Sequence, residues 1–357
     1  MIGTMWARKA CLFVTFAALA ACGGSGGGSS QPQPPATSSL DLYDSLWSEF
    51  DRSYSFFVLK GIDWDDSRTR FRARLNAESS DNELFDVLSE MLLELEDPHV
   101  VLDSSLGTSS YTGWYDQYPS NFDESVVMAT YLGANAMMSP ETNMLFGPID
   151  SDIGYLRVYN LTGTGHGNDI DYILGQLSGI SGLVIDLRSN GGGNDQNGEA
   201  IAGRFADAIY LYRRNRFRDG PEHGDFGPYI DSFVSPTGSG SFLGPIAVLT
   251  NRGTISSAES LVLGFAALPN SSSFGDFTGG GSANPEQNQL SNNWTYTVSR
   301  WIEYLPDGTT FEGVGIEPDV RVDISAADMA ISRDTILDAA IADLRTRLQA
   351  PPFKRSR

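Results

Sequence analysis

An α/β fold with an N-terminal helical subdomain is what the sequence predicts, on three observations. From Gly154 onward, strand-like apolar runs alternate with segments whose apolar residues recur at helical spacing. Two of those runs, Gly182-Leu183-Val184-Ile185-Asp186-Leu187 and Ile246-Ala247-Val248-Leu249, are almost continuously apolar, as strands covered on both faces require. Residues 40–105 instead carry amphipathic helical stripes, such as Leu42, Leu46, Trp47 and Phe50.

Five segments follow in order. Arg8 and Lys9 precede an apolar run from Ala10 to Ala21, too short to span a bilayer but suited to a signal peptide over residues 1–21. Leu19-Ala20-Ala21-Cys22 resembles the lipobox of bacterial lipoproteins. The resemblance implies cleavage before Cys22 and lipidation of its thiol; an ordinary secretory signal is the plainer reading. Residues 22–39, rich in Gly and Ser and then Pro and Gln, read as a flexible tether.

In the helical subdomain, residues 40–105, a second amphipathic segment runs from Trp64 to Leu75. Ser80-Asp81-Asn82-Glu83 forms a capping box for a helix that Asp97-Pro98 would stop. His99 follows at once, leading into the extended run Val100-Val101-Leu102. Residues 106–150 are irregular, with a strand plausible at Ser125–Leu132.

The core, residues 151–357, is expected to place a strand at Gly154–Val158 and helices at Asn168–Leu177 and Gly198–Ala206. One strand is expected over Trp294–Ile302, a turn at Leu305–Gly308 and a closing helix over Ser325–Leu348.

Composition narrows the chemistry. A net charge of −21 argues against nucleic acid, which needs clustered Lys and Arg. The only cysteines are Cys11 and Cys22, so the body of the chain has neither disulfides nor thiolate chemistry. His99, His166 and His223 lack metal-ligand spacing, so neither a metal nor a cofactor is expected.

Ser256 stands out because the Ile246–Leu249 run is followed by the turn Asn251-Arg252-Gly253 and then by a helical pattern through Ala258, Leu261, Val262 and Phe265. A hydroxyl at that junction projects beside the free N–H groups of a helix start, a setting for a nucleophile and its oxyanion. The plain alternative is an N-cap serine. Likewise the Gly191-Gly192-Gly193 turn is either a close backbone approach to a ligand or a loose loop, and His99 is either a base or a structural residue.

Four segments in one order carry a family resemblance. They are Leu95-Glu96-Asp97-Pro98-His99, Asp186-Leu187-Arg188-Ser189-Asn190-Gly191-Gly192-Gly193, Gly253-Thr254-Ile255-Ser256-Ser257-Ala258-Glu259, and Glu312-Gly313-Val314-Gly315-Ile316-Glu317-Pro318-Asp319-Val320. Together they resemble the tail-specific (C-terminal processing) protease and tricorn core protease family. The resemblance implies a ClpP/crotonase-like spiral of β-β-α units, with Ser256 as nucleophile and an oxyanion hole from Gly191, Gly192 and the N–H of Ser257.

The turn Gly279-Gly280-Gly281 holds no lysine, which sets aside the serine–lysine dyad of the tail-specific branch. The tricorn-like branch implies His99 as base and Glu312 as its orienter. That branch has a serine before the histidine where this chain has Pro98, so Asp97, Glu312 or a water is left to orient the ring. The space before the catalytic core is too short for a PDZ domain.

The implied activity is a serine endopeptidase acting on peptide or unfolded protein segments. It would be held to the cell envelope only by its lipid and face the periplasm, with Gly23 favouring the outer membrane. The rival is a non-catalytic peptide- or hydrophobic-ligand-binding protein on the same fold.

Overall fold

A computed structural model describes residues 37–350 except 239; the expected signal peptide, Cys22 and most of the tether lie outside these residues. In chain order the helices are α1 (Ser39–Ser53), α2 (Phe57–Lys60), α3 (Trp64–Arg72), α4 (Asp81–Leu93), α5 (Gly113–Asp116), α6 (Glu124–Val126), α7 (His166–Gln176), α8 (Asp195–Ala202), α9 (Ser257–Ala266), α10 (Ala326–Ala330) and α11 (Thr335–Gln349). The strands are β1 (Val101–Ser104), β2 (Gly107–Ser110), β3 (Met137–Met138), β4 (Leu145–Pro148), β5 (Ile153–Arg157), β6 (Gly182–Asp186), β7 (Tyr210–Phe217), β8 (Ile230–Val234), β9 (Ile246–Thr250), β10 (Ser271–Gly275), β11 (Pro285–Gln289), β12 (Thr295–Ser299), β13 (Trp301–Tyr304) and β14 (Val320–Arg321).

The N-terminal helices form because their starts are capped and their stripes are buried. Ser38 and Ser80 each accept the N–H three residues on, while Asp41 and Glu83 reach back to the cap, so two otherwise unpaired N–H groups are satisfied at each end. Leu42, Leu46, Trp47 and Phe50 of α1 are buried, and Trp47 stacks on Trp64 with each indole N–H bonded to the other residue's carbonyl. Each such aromatic contributes about 1.5–3 kcal/mol by leaving water. This core also takes in Tyr296 and Val298 of β12, so the helical subdomain is packed against strands from far along the chain.

The central sheet runs β14-β10-β9-β6-β5-β4-β3, with β5, β6, β9, β10 and β14 parallel. Every residue of β5, β6 and β9 is buried, as the continuous apolar runs required. A second sheet, β11-β12-β1-β2, joins the hairpin after His99 to the region after the Gly279–Gly281 turn; a third is β13-β7-β8. The ends of β6 and β9 therefore open toward the β1–β12 sheet, and the site assembles there.

Several expectations are corrected. Residues 125–132 are not a strand: Asp123 caps a helical start, and Val127–Leu132 continues as a π-helical turn that buries Val127 and Leu132. The run Trp294–Ile302 breaks at Arg300 into β12 and β13, which join different sheets. The closing helix is interrupted after α10, because Asp334 caps α11 and binds Arg188 instead of continuing a helix. Finally, α4 ends at Leu93, and Glu96 in the following turn has φ 46, so the chain reverses before Pro98 rather than at it.

Candidate active site

Ser256 separates β9 from α9 with φ 62 and ψ −135, a conformation a non-glycine residue holds only when its surroundings enforce it. The enforcing group is Glu259, three residues into the turn and fully buried. Its carboxylate accepts the N–H of Ser256 (3.0 Å), the N–H groups of Gly280 (2.8 Å) and Gly281 (2.9 Å), and the Thr278 hydroxyl (2.5 Å). Burial pushes this carboxyl up to about 8, while the four donors favour its charged form. One side chain thus clamps the Ser256 turn to the second glycine turn.

The first glycine turn lies against Ser256. A β-carbon on Gly192, which has φ +87, would sit 2.8 Å from the Ser256 β-carbon and 2.9 Å from the Ser257 nitrogen. The N–H of Gly192 is taken by Asn190 Oδ1 at 2.9 Å. The N–H groups of Gly191, Gly193 and Ser257 have no hydrogen-bond partner among the described residues, so both contacting turns hold unpaired donors.

His99 sits at the end of the reversed chain before β1. Its carbonyl accepts the Thr297 hydroxyl (2.6 Å) and its N–H donates to Asp97 Oδ1 (2.8 Å), so the backbone is pinned from both sides. The ring packs on Gly281, where a β-carbon would lie 3.0 Å from His99 Cε1 and 2.9 Å from Ile255, the neighbour of Ser256. No hydrogen bond joins His99 to the Ser256 hydroxyl in this arrangement. Burial favours the neutral imidazole and lowers its pKa; Asp97 opposes that and Lys60 reinforces it.

Around the ring lies a buried acidic cluster. Asp97 is 1% exposed, accepts the Ser299 hydroxyl (2.7 Å), and has Oδ1 3.9 Å from His99 Nδ1, which itself has no hydrogen-bond partner among the described residues. Glu312 accepts the N–H and hydroxyl of Ser282 (2.8 and 2.9 Å) and lies 3.0 Å from Lys60 Nζ. It comes within 4.0 Å of neither nitrogen of the His99 ring. Burial pushes Glu312 up to about 6, with Lys60 pulling it down and Asp97 raising it. The buried Tyr54 hydroxyl faces the same two carboxylates, which with burial hold it well above its usual pKa.

The structure therefore brings Ser256, Ser257 and Gly192 into one turn-on-turn contact, with Gly191 the preceding residue of that turn, and puts His99 across Gly281 from Ile255. Asp97 is the carboxylate closest to the ring, and Glu312 lies farther from it, on Lys60. Lys60, Glu259 and Ser282 were not singled out from the sequence; Glu259, as the acid of a Ser-x-x-Glu pattern, carried a local signal. Among the described residues no cluster of His, Cys, Asp or Glu could hold a metal ion, and no helix is long and apolar enough to cross a membrane.

The model of peptidase family S41 matches residues 152–322, and that of the tricorn protease C1 domain matches residues 35–93. No curated protein matches the sequence. Among solved structures, a protein of Parabacteroides merdae ATCC 43184 provisionally described as a peptidase is 34% identical over 86% of this chain and 97% of its own, with a TM-score of 0.79. The photosystem II D1 C-terminal processing protease is 17% identical over 81% of this chain and 94% of its own (TM-score 0.53). The tricorn protease is 17% identical over 88% of this chain and 37% of its own (TM-score 0.60), and both share the ClpP/crotonase-like α/β fold seen here. With that identity to the first of these over most of its length, the chain belongs to peptidase family S41.

Proposed function

We propose that the protein is a serine endopeptidase in which Ser256 attacks the peptide carbonyl, His99 takes its proton, and buried acid around Asp97 and Glu312 orients the imidazole. The proton on the Ser256 oxygen passes to His99 Nε2 as the oxygen–carbon bond forms. The carbonyl oxygen collects negative charge, which the Ser257 N–H and the Gly191–Gly193 turn stabilise. When the carbon–nitrogen bond breaks, His99 returns the proton to the leaving amine. Water then repeats the sequence on the acyl-enzyme and regenerates the serine.

The observation that carries this reading is the enforced positive φ of Ser256 beside unpaired N–H groups. Ser256 is the N-cap of α9, closed by Glu259, but the capping serines Ser38 and Ser80 sit in ordinary extended backbone, so capping alone does not call for this strain. In the test, Ser256→Ala should lose hydrolysis of peptides by about 10³-fold or more, together with labelling by a fluorophosphonate, at an unchanged melting temperature. Equal cleavage by the variant would sink the assignment.

A second reading, a ligand-binding protein on the same fold, draws on the absence of a hydrogen bond between His99 and Ser256 and on the unpartnered Nδ1. Open geometry in a substrate-free site is compatible with catalysis, because such bonds often tighten only on binding. A wild-type protein that binds peptides yet resists the fluorophosphonate would favour this second reading.

For location, we propose a lipid anchor at Cys22 and a periplasm-facing position in the cell envelope, on the outer membrane by the Gly23 criterion. The Leu19–Cys22 pattern supports it. Cys22→Ala should move the protein from the membrane to the soluble fraction; an unchanged distribution would refute it.

A further inference from the structure

Beside Ser256 lies a cavity of about 520 Å³ whose charged lining residues are both acids, Asp195 and Glu303. Asp195 opens α8 directly after the Gly191–Gly193 turn, and Glu303 comes from β13. Ser257 and Ser260 of α9, Gly281 to Pro285 and the Trp301 ring supply other parts of the wall.

Beneath the two acids is Arg213 of β7, with its side chain 5% exposed. Its Nη2 donates to Asp195 Oδ2 (2.7 Å), and its Nη1 donates to Glu303 Oε2 (3.0 Å) and the Ser260 hydroxyl (2.8 Å). One guanidinium faces two carboxylates, so with both acids ionised the cluster keeps one negative charge in excess; burial pushes Glu303 up to about 7, so that excess is complete above neutral pH.

The two acids are not equivalent. Both oxygens of Glu303 are held by the Ser260 hydroxyl (3.1 and 3.3 Å), one of them also by Arg213, and its side chain is 3% exposed. Asp195 Oδ1 has no partner among the described residues, and its side chain is 23% exposed. The surplus charge thus has an open acceptor on the cavity side. Trp301 is held in place by its own N–H to the Ser282 carbonyl (2.8 Å) and packs 5.5 Å from the Arg213 guanidinium carbon, a flat apolar wall next to an acid.

We propose that this cavity is the subsite for the side chain flanking the scissile bond, and that it selects lysine or arginine through Asp195, with Arg213 and Glu303 fixing that carboxylate. The proposal rests on the peptidase reading of Ser256. A cationic head would neutralise the excess charge at Asp195 Oδ1 while its alkyl stem lies along Trp301. An acidic side chain would meet a like charge at close range, and an aliphatic one would cover the open carboxylate without replacing its water. Lysine and its neutral isostere norleucine differ only in the group that distinguishes these cases.

The test uses fluorogenic peptides carrying Lys, Arg, norleucine or Glu on either side of the cleaved bond. The expected kcat/KM for Lys or Arg exceeds that for norleucine by about 10-fold or more, and Glu is poorest. In Asp195→Asn the Lys-to-norleucine ratio, in which any general loss of activity cancels, should fall toward one. Equal cleavage of Lys and norleucine peptides, or an unchanged ratio in Asp195→Asn, overturns the subsite.

Binding of the same peptides to Ser256→Ala, followed by fluorescence anisotropy, separates the two levels. If the wild type cleaves nothing but Ser256→Ala still prefers the Lys peptide, the peptidase reading fails and the subsite stands. If neither cleavage nor binding shows the preference, the subsite falls.

Discussion

Lys60 Nζ lies 3.0 Å from Glu312 Oε1 and also donates to the carbonyls of Leu95 (3.2 Å) and Glu96 (3.1 Å). The end of α2, the turn before His99 and the loop carrying Glu312 are therefore tied at one ammonium group. Glu312 has a side chain with no exposed surface, so Lys60 is the cation that makes its ionised form tolerable there.

Lys60→Met should accordingly raise the pKa of Glu312 above about 6, and it removes a cation that holds the His99 pKa down. Both changes move the acid limb of kcat/KM to higher pH, with a loss of about 10-fold at neutral pH. Lys60→Arg should restore the limb. A uniform loss at every pH, with no displacement of the limb, would reduce Lys60 to a structural strut.

Asp97 gives the opposite sign. Its charge raises the His99 pKa, and it is the carboxylate closest to Nδ1. Asp97→Asn should move the acid limb to lower pH while lowering kcat by about 10- to 100-fold, since the ring loses its negative neighbour and the backbone anchor weakens. If the limb moves instead with Glu312→Gln and not with Asp97→Asn, Glu312 is the orienter.

Why the sequence revealed some of this and not the rest follows from where each signal lies. Ser256 was legible because the strand, turn and helix that frame it occupy one short stretch, and the Gly191–Gly193 turn was legible for the same reason. Lys60 was not, because nothing near it in sequence announces a partner; Glu312 reaches it only through the fold. Arg213 hid in Tyr210–Phe217, a strand whose charged residues alternate poorly with apolar ones, since Arg213 and Arg214 are paired with acids from other strands and helices and Arg216 donates to the carbonyls of Phe226 and Gly227. The single strand expected over Trp294–Ile302 concealed a change of sheet, because alternation continues across Arg300 while the hydrogen-bond partners change.

Stability should also depend on pH with a definite sign. Burial raises Glu312 to about 6, Glu303 to about 7 and Glu259 to about 8, all above the carboxyl value of the unfolded chain. The folded state then binds more protons than the unfolded one, so the stability these groups give is complete at low pH and is lost as pH rises through those values. His99 works the other way: its lowered pKa contributes stability above the ordinary value near 6.5 that is lost as pH falls below it. The melting temperature should therefore decline from about pH 4.5, the ordinary carboxyl value, to about pH 8, above which these groups are ionised in both states. Activity, limited by neutral His99, should persist below the ordinary imidazole value near 6.5. Melting curves that rise steadily to pH 9 would contradict the buried-carboxyl account.

The two glycines beside Ser256 separate close approach from mere flexibility. A β-carbon on Gly191 meets nothing within 4 Å, whereas on Gly192 it meets the Ile255 carbonyl at 2.8 Å as well as Ser256, and φ +87 adds strain of its own. Gly192→Ala must therefore push the first glycine turn away from Ser257, spoiling the alignment of the N–H donors. A loss of about 10²- to 10³-fold in kcat is expected, the scale of removing an oxyanion donor. Gly191→Ala should cost less than about threefold, since its N–H is kept and its β-carbon has room. Steady-state kinetics of the two variants, with melting curves to exclude unfolding, measure the difference. Equal losses in both would mean that the close Gly192 contact has no effect of its own on the reaction.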